Sequence, residues 1–197
     1  DYVMIENEVP ELACNKLLID NLGGARQAVK YLIGKGHRDI AHICGNPNKK
    51  VTKERLDGYV DAMQKAGLQV KEQYVQCTST DYRSGYECMN ALLDLQMPPT
   101  AVFCSDDAIA SFAIRAVLDR GLRIPEDISI MGFDNQTILP DHYRGPEITS
   151  VSQPLYNIGM DSVRILSERL NSDKEMEPVR IMYQTNIVEK ETVGELR

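Results

Sequence analysis

No apolar run in this sequence is long enough to cross a bilayer. The longest, such as Ile128 to Met131 and Thr100 to Cys104, fall far short of the roughly 18 residues a spanning helix needs. The chain opens Asp1-Tyr2-Val3 with neither a basic region nor a signal-peptide core, and it lacks an initiator Met, so a longer precursor is expected. Basic residues are in deficit: 22 Lys and Arg against 29 Asp and Glu, a net charge of −7. A face that neutralises phosphates is therefore not expected here, and any DNA contact must come from another segment. There is no G-x-G-x-x-G, P-loop or G-x-S-x-G run, and His37, His42 and His142 have no nucleophile or ligand at useful spacing. Catalysis, a cofactor and a bound metal are all unexpected. The five cysteines, Cys14, Cys44, Cys77, Cys88 and Cys104, form no C-x-x-C pair. Several lie in strand-like apolar runs, where Cys acts as a small hydrophobe, so reduced thiols in a cytoplasmic protein are expected.

What the sequence does have is an ordinary globular composition, 43% apolar and 26% charged, with no repeat and no low-complexity tract. From Asp20 to Asn135 helical and strand periods alternate with little spare length, the pattern of a parallel sheet with crossover helices. Helices are expected at Gly23 to Lys35, around Leu56 to Met63, around Tyr86 to Leu93 and around Ile109 to Val117. Gly34 or Gly36 ends the first and Asp20 or Asn21 caps it. Strands are expected at Ile40 to Cys44, Tyr74 to Cys77, Ala101 to Cys104 and Ile128 to Met131. Further on come strand Ile148 to Val151, helix Leu155 to Leu170 with Ile158, Val163, Leu166 and Leu170 buried, and terminal strands Val179 to Tyr183 and Ile187-Val188. Tyr2 to Ile5 reads as an opening strand.

In an open α/β sheet the ligand crevice lies beyond the carboxyl ends of the strands. Here those ends are polar: Gly45-Asn46, Thr78-Ser79-Thr80-Asp81, Ser105-Asp106-Asp107 and Phe133-Asp134-Asn135. Carboxylates and amides converging from several strands suit a hydroxyl-rich ligand. The same residue types also cap helices and form turns, and as a set they favour binding.

Six runs resemble the LacI/GalR transcription regulators: Asp20-Asn21-Leu22-Gly23-Gly24-Ala25, Gly36-His37-Arg38-Asp39-Ile40-Ala41-His42-Ile43, Glu54-Arg55-Leu56-Asp57-Gly58-Tyr59, Ile124-Pro125-Glu126-Asp127-Ile128-Ser129, Gly132-Phe133-Asp134-Asn135 and Ile148-Thr149-Ser150-Val151-Ser152-Gln153-Pro154. The resemblance implies an α/β fold of the type I periplasmic-binding-protein-like class, a doubly wound parallel sheet with one complete subdomain and part of a second. Residues 20–151 and 186–197 would form the carboxyl-side subdomain, and residues 1–19 and 152–185 part of the amino-side one. The DNA-binding headpiece would be absent, and apolar edge surface would be exposed. It also implies a small polar effector, a sugar or sugar derivative, bound in the cleft between subdomains, a homodimer, operator DNA contacted only through the missing headpiece, and no membrane contact.

Carried over residue by residue, Arg55 matches the arginine that forks onto effector hydroxyls or carboxylate, and Asp134 matches the cleft aspartate. Asp106 stands where relatives often have Asn. Asn7 follows the opening strand, and Tyr82 is the candidate to stack under a sugar ring. Asp107 is expected to cap the following helix, His37 to sit at a helix terminus near the negative dipole end, and Lys49, Lys50 and Lys53 to form a solvated basic loop. A periplasmic sugar-binding protein would share the fold. The odd cysteine count argues against an oxidising compartment, and the quoted runs look more like the regulators.

Overall fold

In the computed structural model, residues 2–6, 9, 12–78, 83–136, 143–172 and 176–196 are described. The chain divides into two compact units, one made of residues 21–152 and 186–197 and the other of 1–20 and 153–185.

The larger unit holds a six-stranded sheet in the order β4-β3-β5-β6-β7-β9, made of β3 (Ile40–Cys44), β4 (Val75–Cys77), β5 (Ala101–Cys104), β6 (Ser129–Asp134), β7 (Thr149–Ser152) and β9 (Asn186–Val188). All pairs are parallel except β7 with β9. Every residue of β3 and β5 is buried, because helices cover both faces; that is why these strands read as continuous apolar runs instead of alternating. Ile40, Ala101, Phe103, Met131 and Phe133 pack on one face with α1 (Asn21–Gly34) and α2 (Lys50–Lys65). Ile43, Val102, Cys104 and Ile130 pack on the other with α3 (Ser84–Leu93) and α4 (Asp107–Asp119). The two apolar clusters are thus the two sides of one strand alternation. Helices α1 and α2 pack tightly at Gly58, where a Cβ would lie 2.5 Å from the Leu22 carbonyl oxygen.

The strand expected from Tyr74 begins one residue later, since Tyr74 closes a 3-10 turn, Glu72–Tyr74, with its hydroxyl donating to the Met97 carbonyl. The first helix ends as read, with Gly36 just beyond it at φ +98°, a left-handed conformation that suits glycine. Asn21 does not cap that helix. It lies within α1, and its side chain turns toward α2.

The cysteine expectation needs correction. Cys44 and Cys77 are joined as a disulfide, while Cys14, Cys88 and Cys104 are buried free thiols. The parallel register sets Cys44 opposite Cys77, a pairing that a separation of 33 residues conceals. His37 also differs. Its amide does meet the end of α1, bonding the Leu32 carbonyl, but the ring is buried between the Thr100 hydroxyl (3.0 Å) and the Gly194 carbonyl (3.2 Å). Burial lowers its pKa, so it is a neutral brace and not a charge on the helix dipole.

In the smaller unit, β1 (Val3–Ile5), β2 (Asn15–Ile19) and β8 (Arg180–Tyr183) form a parallel sheet in the order β1-β2-β8. The central strand β2 was not anticipated. Its first residue, Asn15, is buried, accepting the Val179 N–H (3.1 Å) and donating to the Tyr2 carbonyl (3.3 Å). Helix α5 (Leu155–Leu170) packs Ile158 and Ile165 against Leu17 and Ile19. Of the residues expected to be buried on α5, only Ile158 is. Leu166 is half-buried, while Val163 and Leu170 are 69% and 75% exposed. A three-stranded sheet offers one narrow row for the helix to cover, so the rest of its apolar surface stays open.

His42 gives the core a pH dependence. Its ring is stacked between Tyr59 and Phe103, with centroids 5.2 and 4.9 Å away, and Nδ1 bonds the Phe103 carbonyl at 2.8 Å. Burial, with the Arg55 charge adding to it, pushes its pKa down to about 4. The unfolded chain binds the proton first, near the ordinary value of about 6.5, so this group's stabilisation is complete above that pH. It is lost as pH falls toward 4, by about 3 kcal/mol in all. In urea unfolding between pH 7 and 4.5, the native chain should lose stability relative to His42→Phe as pH falls, since only the native chain carries this titration. Parallel slopes would contradict it.

Candidate functional site

The carboxyl ends of β3, β5 and β6 converge on one buried guanidinium. Arg55 lies near the start of α2, which the loop after β3 delivers to this end of the sheet, and only 6% of the residue is exposed. Its Nε donates to Asn21 Oδ1 at 3.0 Å, Nη1 to the Ser105 carbonyl at 2.5 Å, and Nη2 to Asp134 Oδ1 at 3.0 Å. The guanidinium carbon sits 3.7 Å from the centroid of the Phe133 ring, a cation–π arrangement. Burying a charge costs heavily unless it is paired and hydrogen-bonded, and each of these contacts meets part of that cost.

Asp134 ends β6 in an unusual backbone conformation. Its φ is +98° and that of Asn135 is +50°, where side-chain-bearing residues are uncommon and costly. A chain of hydrogen bonds holds the turn. Ser150 Oγ accepts the Asn135 N–H (3.0 Å) and donates to Asp107 Oδ1 (2.7 Å), and Asp107 Oδ2 accepts the Gln136 N–H (2.7 Å). Gly132 is required for this: a Cβ there would come within 2.0 Å of Asp107 Oδ1. The Gly-Phe-Asp-Asn run therefore has a physical division of labour. Gly132 makes room for the Asp107 carboxylate, Phe133 lies against the Arg55 guanidinium, Asp134 pairs with Arg55, and Asn135 completes the turn.

The structure exchanges the expected roles of the two neighbouring aspartates. Asp106 is the cap of α4, its Oδ1 accepting the Ile109 N–H at 2.7 Å, while Asp107, expected to cap, is buried and braces the Asp134 turn. The reason is the extended backbone at Asp106, φ −151° and ψ 169°, which is the conformation a capping residue adopts. Burial raises the Asp106 pKa, with the nearby Asp134 charge adding to it and Arg55 opposing it. Arg55, Asp134 and Asp106 thus share one neighbourhood. Asn7 and Tyr82, the other two expected site residues, lie outside the described residues, as do Ser79, Thr80 and Asp81. Lys49, Lys50 and Lys53 are exposed, and Lys50 pairs with Glu54 at 3.5 Å, but they do not form the expected loop: Lys49 is the N-cap residue of α2, and Lys50 and Lys53 lie in its first turn.

Sequence reasoning missed Asn21 and Phe133 as partners of Arg55, and Asp107, Ser150 and Gly132 as supports of Asp134. Asn21 carried a signal of sorts, since it begins one of the quoted runs, but a side chain that could cap a helix gave no hint of a partner on α2. Two further buried atoms at this end, Ser105 Oγ and Asn135 Oδ1, have no hydrogen-bond partner among the described residues. Among those residues no cluster of His, Cys, Asp or Glu could hold a metal ion, and no helix is long and apolar enough to cross a membrane.

The profile of the periplasmic binding protein-like domain matches residues 29–193. The HTH-type transcriptional repressor PurR of Pasteurella multocida (strain Pm70) is 39% identical over 173 residues, which is 88% of this chain and 51% of that protein. The repressor CytR of Escherichia coli (strain K12) is 38% identical over 168 residues, 85% of this chain and 49% of that one. The chain belongs to the LacI/GalR family. Among solved structures of the family, the transcriptional regulator CelR–cellobiose complex matches with a TM-score of 0.84 at 36% identity, over 97% of this chain and 58% of that chain. A regulatory protein of LacI family from Chloroflexus aggregans matches at 0.85 with 31% identity, over 98% and 69%. The chain spans about half the length of the curated family members it matches.

The Asp107 brace sets a second pH dependence for this LacI/GalR chain, opposite in sign to that of His42. Burial pushes its carboxyl up to about 7, partly offset by the bonds from Ser150 and Gln136. The folded state then holds a proton that the unfolded state releases near its ordinary value of about 4. Stability should therefore fall as pH rises from about 4 to 7, by about 3 to 4 kcal/mol for this group. Asp107→Asn removes the titration. Its unfolding free energy measured against the native chain should gain steadily over that window and level off above it, and a difference independent of pH would contradict the assignment.

Proposed function

We propose that this chain is the effector-sensing part of a LacI/GalR-type transcription regulator, and that it holds a small polar effector, a sugar or sugar derivative, at the Arg55–Asp134 site. The observation that carries the reading is the buried Arg55 guanidinium fixed against Asp134 at the carboxyl ends of parallel strands, where open α/β sheets bind ligands. Its protein bonds use one N–H on each of Nε, Nη1 and Nη2. A guanidinium carries five, so the fork keeps donors for vicinal hydroxyls, while Asp134 supplies an acceptor. The unpartnered Ser105 and Asn135 oxygens add polar groups that a hydroxylated ligand would satisfy. The cellobiose in the CelR complex supports a carbohydrate. Asp106 contributes acceptor character beside Asp134, and for Asn7 and Tyr82 the proposed roles, a polar contact and a stacking ring, rest on the sequence alone.

In this reading the regulator is a cytoplasmic homodimer that reaches operator DNA through a headpiece outside this chain, and effector binding controls that contact. A periplasmic sugar-binding protein is the second reading, favoured by one observation: the Cys44–Cys77 disulfide weakens the thiol argument against an oxidising compartment, although Cys14, Cys88 and Cys104 stay free. The matched relatives, which are transcription repressors and regulators, support the first.

A thermal-shift screen of the whole regulator against sugars, sugar phosphates and nucleosides should find the effector class, since a ligand at 100 times its dissociation constant stabilises by about 2.7 kcal/mol. With the hit identified, calorimetry on Asp134→Ala and Arg55→Ala should show a loss of about 2 to 4 kcal/mol, roughly thirty- to a thousandfold in affinity. Operator binding by the same variants should persist. Near-native affinity in both would return the pair to a purely structural role.

A further inference from the structure

Cys44 closes β3 and Cys77 closes β4, and the register sets them directly opposite each other. Facing residues on neighbouring parallel strands project to the same side of the sheet, so the backbone alone brings the two sulfurs together. The α carbons are 4.6 Å apart, within the span of a disulfide. The other cysteines cannot compete for Cys44. Cys104 faces Ile43 across the β3–β5 ladder and so lies on the opposite face, in the cluster that also holds Cys88, and Cys14 belongs to the smaller unit.

The pair is asymmetric. Cys44 is fully buried, while Cys77 is exposed and open to attack by a small thiol. Strand β4 is also the sheet's edge and only three residues long. A short edge strand is the kind of element that opens locally. Its carboxyl end is held by the disulfide and, next to it, by the bond from the Thr78 N–H to the Cys44 carbonyl at 2.9 Å. This is the same end of the sheet as Arg55 and Asp134.

We propose that Cys44 and Cys77 are a reversible thiol–disulfide couple, exchanged with low-molecular-weight thiols and disulfides through Cys77, the exposed partner, whose oxidised form clamps edge strand β4 to β3. In oxidation, the Cys77 thiol gives its proton to solvent and the thiolate attacks a small disulfide, releasing one small thiolate and leaving a mixed disulfide on Cys77. The Cys44 thiol then loses its proton, attacks the Cys77 sulfur and expels the second small thiolate. Two protein thiols have lost two electrons and two protons, and one small disulfide has become two thiols. Reduction runs in reverse, an external thiolate attacking Cys77 and Cys44 leaving. Where glutathione is kept reduced the dithiol is the resting form, and a more oxidising poise closes the clamp. The inference rests on strand register and accessibility, independently of the effector.

The test is to equilibrate the native chain at several ratios of reduced to oxidised glutathione, trap free thiols by alkylation under denaturing conditions, and map the peptides without reduction. The linked Cys44–Cys77 peptide should grow with the oxidised fraction and vanish when the ratio is reversed, with Cys14, Cys88 and Cys104 alkylated throughout. Hydrogen exchange at the amides of β4 and Thr78 should be at least about tenfold faster in the dithiol form, with β5 and β6 unchanged. Cys77→Ser, altered only at the exposed partner, should exchange like the dithiol at every ratio. A link that never forms or never reverses in the folded chain, linkage through any other cysteine, or exchange in β4 that ignores the redox state would overturn the proposal.

Discussion

A guanidinium can be buried only if acceptors are already in place around it, and the larger unit is arranged to supply them. The Arg55 fork draws one acceptor from α1, one from the chain after β5 and one from the end of β6, and its flat face rests on Phe133. Each acceptor comes from a different segment, so the contact is available only when the sheet order β3-β5-β6 and the packing of α1 on α2 are both established. The Gly58 contact between those helices and the Gly132 gap that admits Asp107 serve the same end, one bringing Asn21 to Arg55 and the other fixing Asp134.

The buried acidic group beside this site answers a different need. Asp134 must point at Arg55 from a backbone that ordinary residues avoid, with φ +98°, and such conformations persist only where the surroundings over-determine them. Asp107 and Ser150 provide that constraint. The cost appears in the Asp107 carboxyl, whose burial drives its pKa up to about 7. Stability is given up where the Asp134 geometry is set, the kind of local conflict expected at functional sites.

Much of the fold could be read directly. The strands Ile40–Cys44 and Ala101–Cys104 and the helix Leu155–Leu170 fall where apolar period and turn residues put them, because both-face burial leaves an unbroken apolar run and one-face burial a helical stripe. What escaped was whatever depends on which strand lies beside which. Strand β2 is short and opens on a buried Asn, the Cys44–Cys77 pair is created by register, and Val163 and Leu170 are exposed because the sheet under α5 has three strands among the described residues. At the site, Arg55 and Asp134 could be singled out from their runs. The exchange of roles between Asp106 and Asp107 could not, since two adjacent carboxylates before a helix look alike until the backbone angle of the first is known.

The most direct test of the Arg55–Asp134 site is a crystal structure of the whole regulator with the effector found by screening. The proposal requires electron density for the ligand within hydrogen-bonding distance, about 2.7 to 3.2 Å, of both the Arg55 guanidinium and the Asp134 carboxylate, beyond the carboxyl ends of β3, β5 and β6. Ligand density elsewhere, with Arg55 still bonded only to Asn21, Ser105 and Asp134, would contradict it.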